Sequence, residues 1–415
     1  MGDVTSRFVA MDLPKTYVMV AALDRQQRVV LQPRRVLLAQ FDAWAKRHLR
    51  STDQVVLEAT TNAWYLHDLL QPLVARVVVA DPAKAKAKMG LPVKTDRRDT
   101  LGLAELLVTN RVPEVWVPPA PVRDLRSLIA HRQRLVRERT MAKNRLRGLL
   151  FRHNIVPPDG ELFGARQHAW WETLELPLTD RLRARQDLAS IVHFDGLLKA
   201  VDTEVAQMSG REPWSEMVPW VIHLPGMGLI TTMTVLGAIG DISRFPSAKQ
   251  LVGYSGLGAR VYASGQIHRT GGITKQGRTD LRQALVEAAW AAVRHAPAWR
   301  QRFEQLARRI GEAKAIVAIA RKLLVVIWHV LSAKTADRQA DVQAVARRLV
   351  RWGTVHRVAR SLGLSRGAFV RQQLERLGLG TELETVIYYH EVIQLPPALG
   401  VRDPTPPPAP MVAAA

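Results

Sequence analysis

The 415-residue chain contains no cysteine. Disulfides, thiol nucleophiles and cysteine-bound zinc are therefore excluded. Acidic residues are scarce: 37 Asp and Glu stand against 59 Lys and Arg, a formal net charge of +22. No clean apolar run reaches the ~20 residues of a membrane span. The most apolar stretch, VAIARKLLVVIWHVL at 317–331, is broken by Arg321 and Lys322. The first apolar run is short and interrupted by Asp12, so no signal peptide and no membrane partner are expected. Hydrophobic residues supply 47% and charged residues 23% of the chain, which excludes a wholly disordered polymer, and the length allows roughly two to four domains. Of the 59 basic residues, 46 are arginine. A surface this cationic releases counterions when it meets phosphates, so the expected partner is a polyanion. A merely basic protein from an arginine-rich proteome is the plainer alternative.

The pattern along the chain divides it. RFVAMDL, TYVMVAAL and RVVLQ read as three strands within 7–32, rich in β-branched and aromatic residues. A helix is expected over 34–50, a strand at 54–60, a helix near 62–72, a strand at 75–82, a helix at 96–108, and a short last strand at EVWV. Three strands followed by alternating helices and strands imply an α/β domain with a mixed sheet. The order is that of a ribonuclease-H-like fold. From Pro121 the character changes. Apolar residues recur every three or four positions, and ten basic residues against two acidic ones lie between Arg123 and Arg152. With a second helical stretch at 180–208, this predicts a helical hairpin or coiled coil. The imbalance favours a helix lying on phosphates, with Arg145 and Arg147 among the contacts. The predicted class is thus α/β plus all-α.

Four carboxylates fall where such a fold could use them. Asp12 ends the first strand and Glu58 the fourth, while Asp96 and Asp99 are three apart and share a helix face. Hard Mg²⁺ ions prefer carboxylate oxygens, and two ions can stabilise both the attacking and leaving oxygens of a phosphoryl transfer. Asp53 and Asp81 are weaker candidates, expected in turns.

Two glycine-rich segments follow. LPGMG at 224–228 has the form of a helix-hairpin-helix turn, in which Gly226 and Gly228 would let backbone N–H groups approach a phosphate. In 251–290, Ser255 and Ser264 each precede a glycine, among Arg269, Lys275, Arg278 and Arg282. A serine there could meet a phosphate held by those bases, given a metal, base or strong field to activate it.

These motifs together carry a resemblance. AMD at Asp12, VLEATTNAWY at Glu58, VKTDRRD at Asp96 and Asp99, LPGMG, IGDISRF, SAKQLVGYSGLGAR, YASGQ and GGITKQGRTDLRQAL resemble the DEDD transposases of bacterial insertion sequences, the insertion-sequence-110 group, over most of 7–330. The resemblance implies a RuvC-like N-terminal domain whose Asp12, Glu58, Asp96 and Asp99 bind Mg²⁺ as a two-ion site. It implies a second domain supplying a serine nucleophile at Ser264, with Ser255 the competing candidate. It further implies recombination through a serine–DNA phosphoester, with donor and target DNA and an element-encoded guide RNA as partners. A homodimer or homotetramer, and a bacterial cytoplasmic, nucleoid-associated setting, complete that expectation.

The expected divisions are 1–118 catalytic, 119–215 helical, 216–335 serine-bearing, 336–400 a helical extension and 401–415 a disordered Pro/Ala-rich tail. VARSLGLSRGAFVRQQL in the extension has helix-turn-helix spacing, with Arg366 and Arg371 expected to meet phosphate. The competing reading of the chain is a resolvase-type, structure-specific nuclease with no covalent step. It would have no use for the serine region. A non-catalytic nucleic-acid-binding protein is a third reading, disfavoured because all four carboxylates are present.

Overall fold

The computed structural model describes residues 7–90, 95–264 and 267–398. The expected disordered tail lies outside them. The chain divides after Pro119 into two compact units.

In the first unit, β1 (Phe8–Asp12), β2 (Tyr17–Leu23) and β3 (Val29–Leu37) form an antiparallel meander, and β4 (Gln54–Glu58) and β5 (Arg76–Ala80) add in parallel beside β1. The sheet order is β3-β2-β1-β4-β5. Alternation along the strands sends two sets of side chains to opposite faces. Val9, Met11, Val55 and Leu57 pack with Phe41, Trp44 and Leu66 of helices α1 (Leu38–His48) and α2 (Ala63–Leu70). Phe8, Ala10, Val56 and Val78 pack with Ala85 of α3 (Pro82–Met89) and with Leu103, Ala104 and Leu107 of α4 (Asp96–Val108). A mixed sheet covered by helices on both faces is compatible with the expected α/β nuclease-like domain.

Three local expectations are corrected. The helix foreseen from residue 34 starts at Leu38, because β3 runs on to Leu37 through Pro33. Proline is tolerated there because β3 is an edge strand. Helix α3 was not foreseen: PAKAKAKM offers one buried residue, Ala85, and no apolar stripe. Its signals are terminal ones, namely Asp81 capping Lys84 N–H, Pro82 in the first turn and Gly90 in the left-handed region at φ 58°. EVWV is not a strand but supplies a single bridge, Glu114 to Ala80.

The second unit is mainly helical. Helix α5 (Ala120–Arg152) and, after the short α6 (His168–Glu172), helix α7 (Leu178–Ser209) form the foreseen hairpin. Next come α8 (Trp214–Ile222), α9 (Leu229–Ile239) and α10 (Ala248–Ser255), then a hairpin of β6 (Ala259–Ser264) and β7 (Ile267–Ile273). The segment around Ser264, rich in glycine and basic residues, is thus a β-hairpin. Helices α11 (Thr279–His295), α12 (Pro297–Ile310) and α13 (Glu312–Ala333) follow. By length and composition α13 could cross a membrane. Here its Ile316, Ile319, Leu323, Leu324 and Ile327 are buried, in contact with α10, α11 and α12.

The extension folds as α14 (Val342–Thr354), the one-turn α15 (Val358–Ser361), α16 (Arg366–Leu377) and a hairpin of β8 (Thr385–Tyr388) and β9 (Glu391–Gln394). The arginines of the helix-turn-helix reading do other work. Arg371 is buried and donates to the carbonyls of Pro396, at 2.7 Å, Gly380, at 2.7 Å, and Leu383. Arg366 forms a two-pronged ion pair with Glu391. Both therefore tie the hairpin to α16.

Candidate active site

Parallel pairing of β1 with β4 sets Met11 opposite Leu57, so Asp12 and Glu58 follow side by side at the strands' carboxyl ends, about one strand spacing of ~5 Å apart. Both belong to the alternation that faces α3 and α4. Thr95 caps α4 by accepting from Arg98 N–H at 3.3 Å. Capping starts the helix at Asp96, which puts Asp96 and Asp99 in its first turn, where the helix dipole favours negative charge. All four carboxylates, each half-buried, line one cavity of about 180 Å³ that Lys86, Met89 and Leu103 help to enclose. The open end of a sheet's parallel strands is where α/β proteins place ligands.

Asp12 accepts Leu13 N–H at 2.9 Å, and Tyr17 donates its hydroxyl to Asp96 Oδ2 at 2.5 Å. That hydrogen bond, with burial and the nearby Asp96 and Asp12 charges, pushes the Tyr17 phenol above its ordinary range. The donor set is all oxygen and suits a hard cation. Among the described residues no three acidic or histidine side chains yet lie close enough together to enclose an ion. Mutual repulsion of neighbouring carboxylates opposes a tighter cluster. By donor chemistry and by convergence on one cavity the residues fit Mg²⁺. The weaker candidates are structural: Asp53 is fully buried under Arg7 (3.0 and 2.6 Å) and Arg50 N–H (2.8 Å), and Asp81 is the α3 cap.

In the second unit the two serines differ. Ser255 is fully buried at the end of α10, with Oγ donating to Val252 O at 2.8 Å and accepting from Leu257 N–H at 3.2 Å. Both valences are spent on ending the helix. Ser264 closes β6 opposite Ile267. Its side chain and that of Arg269 lie outside the described residues. Gly226 does not open the backbone to solvent: at φ 80°, a Cβ there would stand 2.1 Å from Ala288 O on α11. Its need is close helix packing. Gly228 is exposed at the N-terminus of α9 and meets nothing.

The expected phosphate-binding bases are unevenly available. Lys275 is exposed. Arg278 grips Asp280, and Arg282 donates to Ser255 O at 3.1 Å. Arg147 donates to Asn144 at 3.0 Å and lies 5.1 Å from the Phe163 ring centre. Arg145 is paired with Asp187. Sequence reasoning missed a groove of about 480 Å³ between α5, α9 and α11, lined by Arg132, Arg137, Arg139, Thr231, Thr279 and Gln283. Its parts come from three distant segments, so no local motif announces it.

Two family models match this chain. One, described as a transposase of the DEDD, IS110 type, covers residues 9–155, which include all four carboxylates. The other, the transposase IS116/IS110/IS902 family, covers 220–304, which include both serines. The transposase of insertion sequence IS1111A from Coxiella burnetii is 26% identical over 350 residues, 81% of this chain and 92% of its own. A transposase candidate of Sinorhizobium fredii, y4qE, is 27% identical over 293 residues, 70% and 72% of the two chains. The pilin gene-inverting protein of Moraxella bovis is 27% identical over 307 residues, 69% and 83%. Fold, carboxylates and these similarities define a DNA-acting enzyme of the transposase and recombinase class. Within that class, the chain belongs to the IS110 family of insertion-sequence transposases.

Proposed function

We propose that this transposase cleaves and rejoins DNA strands at a Mg²⁺ site formed by Asp12, Glu58, Asp96 and Asp99, in a RuvC-like domain, and that Ser264 carries the covalent step. The observation that supports it is the convergence of the four carboxylates, from β1, β4 and α4, on one cavity. Bound Mg²⁺ would supply charge neutralisation for the reacting phosphate. Asp12, held by Leu13 N–H, and Asp96, held by Tyr17, would keep their carboxylates oriented. Ser264 Oγ displaces a strand oxygen at phosphorus, giving a serine phosphoester and a free hydroxyl end that takes up the proton. The occupied valences of Ser255 leave Ser264 as the better nucleophile. In the same reading the domains meet between protomers of a dimer or tetramer, the α5–α7 hairpin serves as a coiled-coil module, and α8–α9 as a helix-hairpin-helix-like element. A guide RNA then selects donor and target DNA, so site choice is encoded outside the protein.

The test is trapping on DNA that carries the ends of the insertion sequence. Wild-type protein with Mg²⁺ is expected to yield a protein–DNA adduct that Ser264→Ala abolishes and Ser255→Ala retains. An adduct that survives Ser264→Ala overturns the assignment. Cleavage without any adduct favours the resolvase reading.

A further inference from the structure

We propose that an arginine-lined trough beside the carboxylate cavity is a phosphate subsite for the DNA strand that enters that cavity. The inference rests on the reading of the four carboxylates as the cleaving site. The trough, about 580 Å³, lies within the first unit and is lined by Pro33, Arg34 and Arg35 of β3, Met19 of β2, and Thr95, Asp96 and Arg97 at the start of α4. Asp96 lines both cavities, so the two adjoin there.

Arg34, Arg35 and Arg97 are exposed, and among the described residues none of them forms an ion pair. The paired arginines of α5 show how readily this chain satisfies a guanidinium when it serves structure. Strand register sharpens the placement. Asp12 faces Met19, and Met19 faces Arg35. The three therefore form a row on one face of the sheet, with Arg35 two strand spacings, about 10 Å, from Asp12. Arg35 stacks its guanidinium 4.7 Å from the Tyr17 ring centre, and Tyr17 in turn donates to Asp96. Stacking fixes the side chain without consuming its N–H donors, which stay available for the forked hydrogen bonds that suit phosphate. Four carboxylates alone would repel a polyanion. Arg34 alternates to the other face, 6.0 Å from the Trp44 ring centre, so Arg35 and Arg97 at the carboxylates' edge offset that repulsion where the strand must approach.

The absence of cysteine permits a direct test with the full-length chain. Pro33→Cys places the only thiol in the trough, and Lys46→Cys places it on α1, lining neither cavity. The probe is a short single-stranded DNA with an activated mixed disulfide tethered to one backbone phosphate, so that the cysteine thiolate joins it by exchange and releases the leaving thiol, incubated in EDTA so that no cleavage intervenes. Pro33→Cys is expected to form the disulfide cross-link well above Lys46→Cys. Adding Arg35→Ala and Arg97→Ala should lower its yield about tenfold, with the melting temperature unchanged because both side chains are exposed. Equal yields from the two thiols, or a yield indifferent to the arginines, overturn the subsite. A markedly higher yield with the same oligonucleotide made of RNA overturns its assignment to DNA. Asp12→Asn and Asp99→Asn should keep the cross-link and lose cleavage. If they keep cleaving, the catalytic reading fails while the cross-link still judges the trough.

Discussion

His223 shows how a single buried side chain couples the second unit to pH. Its Nε2 accepts Asp337 N–H at 3.0 Å, so the ring proton resides on Nδ1, which donates to Pro219 O at 3.1 Å. This is a neutral imidazole. Protonating Nε2 would break the Asp337 bond, and burial, aided by nearby Arg348, lowers the pKa from 6.5 to about 4. The unfolded chain therefore takes the proton first. The associated stability is fully present above pH ~6.5 and is lost as pH falls toward 4, about 3 kcal/mol in all at 1.36 kcal/mol per unit. His223→Gln, compared with wild type by chemical denaturation, should narrow the stability gap by that amount between pH 7 and pH 4. An unchanged gap would contradict the assignment. Gly226 gives a second residue-scale prediction. Gly226→Ala drives a Cβ into Ala288 O at a positive φ, and should cost about 1–3 kcal/mol or more, read as a lowered melting temperature. Gly228→Ala should leave the melting temperature nearly unchanged. Placement at this scale was partly legible. Asp12 and Glu58 stood out because they end strands, and Asp96 and Asp99 because of their spacing. Arg371 could not be read, because its three carbonyl partners lie in loops whose positions only the fold determines.

Hairpin α5–α7 carries the main lesson at the scale of elements. Along α5 alone the basic residues lack partners, and that imbalance suggested a phosphate-facing helix. The partners are on α7: Arg132–Asp202, Arg139–Asp195, Arg145–Asp187 and Arg152–Asp180 form an antiparallel ladder of ion pairs at 2.5–2.8 Å. Counting charge within one helix misses compensation by a neighbour reversed in direction. These pairs are partly exposed, so each should contribute only about 0.2–1 kcal/mol. A double-mutant cycle on Arg145→Ala and Asp187→Ala should return a coupling in that range, shrinking with added salt. The long helices themselves were legible because their apolar spacing is regular. Helix α3 was not, because it buries a single alanine and is specified by its caps. Nor was the β6–β7 hairpin, whose glycines and bases mask any alternation.

At the scale of the whole molecule, the arginines behind the net charge of +22 include some consumed by structure, as in the α5–α7 ladder, and some that form no ion pair among the described residues, such as Arg35 and Arg97 beside the carboxylates of the first unit. The latter kind, like the exposed Lys275, is available to grip a polyanion. Nucleic-acid affinity should therefore fall steeply as salt rises. The logarithmic salt slope should drop by about one for each of Arg35 and Arg97 replaced by alanine, and far less for Arg145→Ala. The central claim is that the carboxylate cavity performs the phosphoryl transfer. Its most direct measurement is excision of an insertion-sequence-bearing plasmid substrate in Mg²⁺ by wild type, Asp12→Asn, Glu58→Gln, Asp96→Asn and Asp99→Asn, with DNA binding measured alongside. The account predicts that each substitution lowers excision about a hundredfold or more while binding persists. Excision at wild-type rates in these four variants would contradict it.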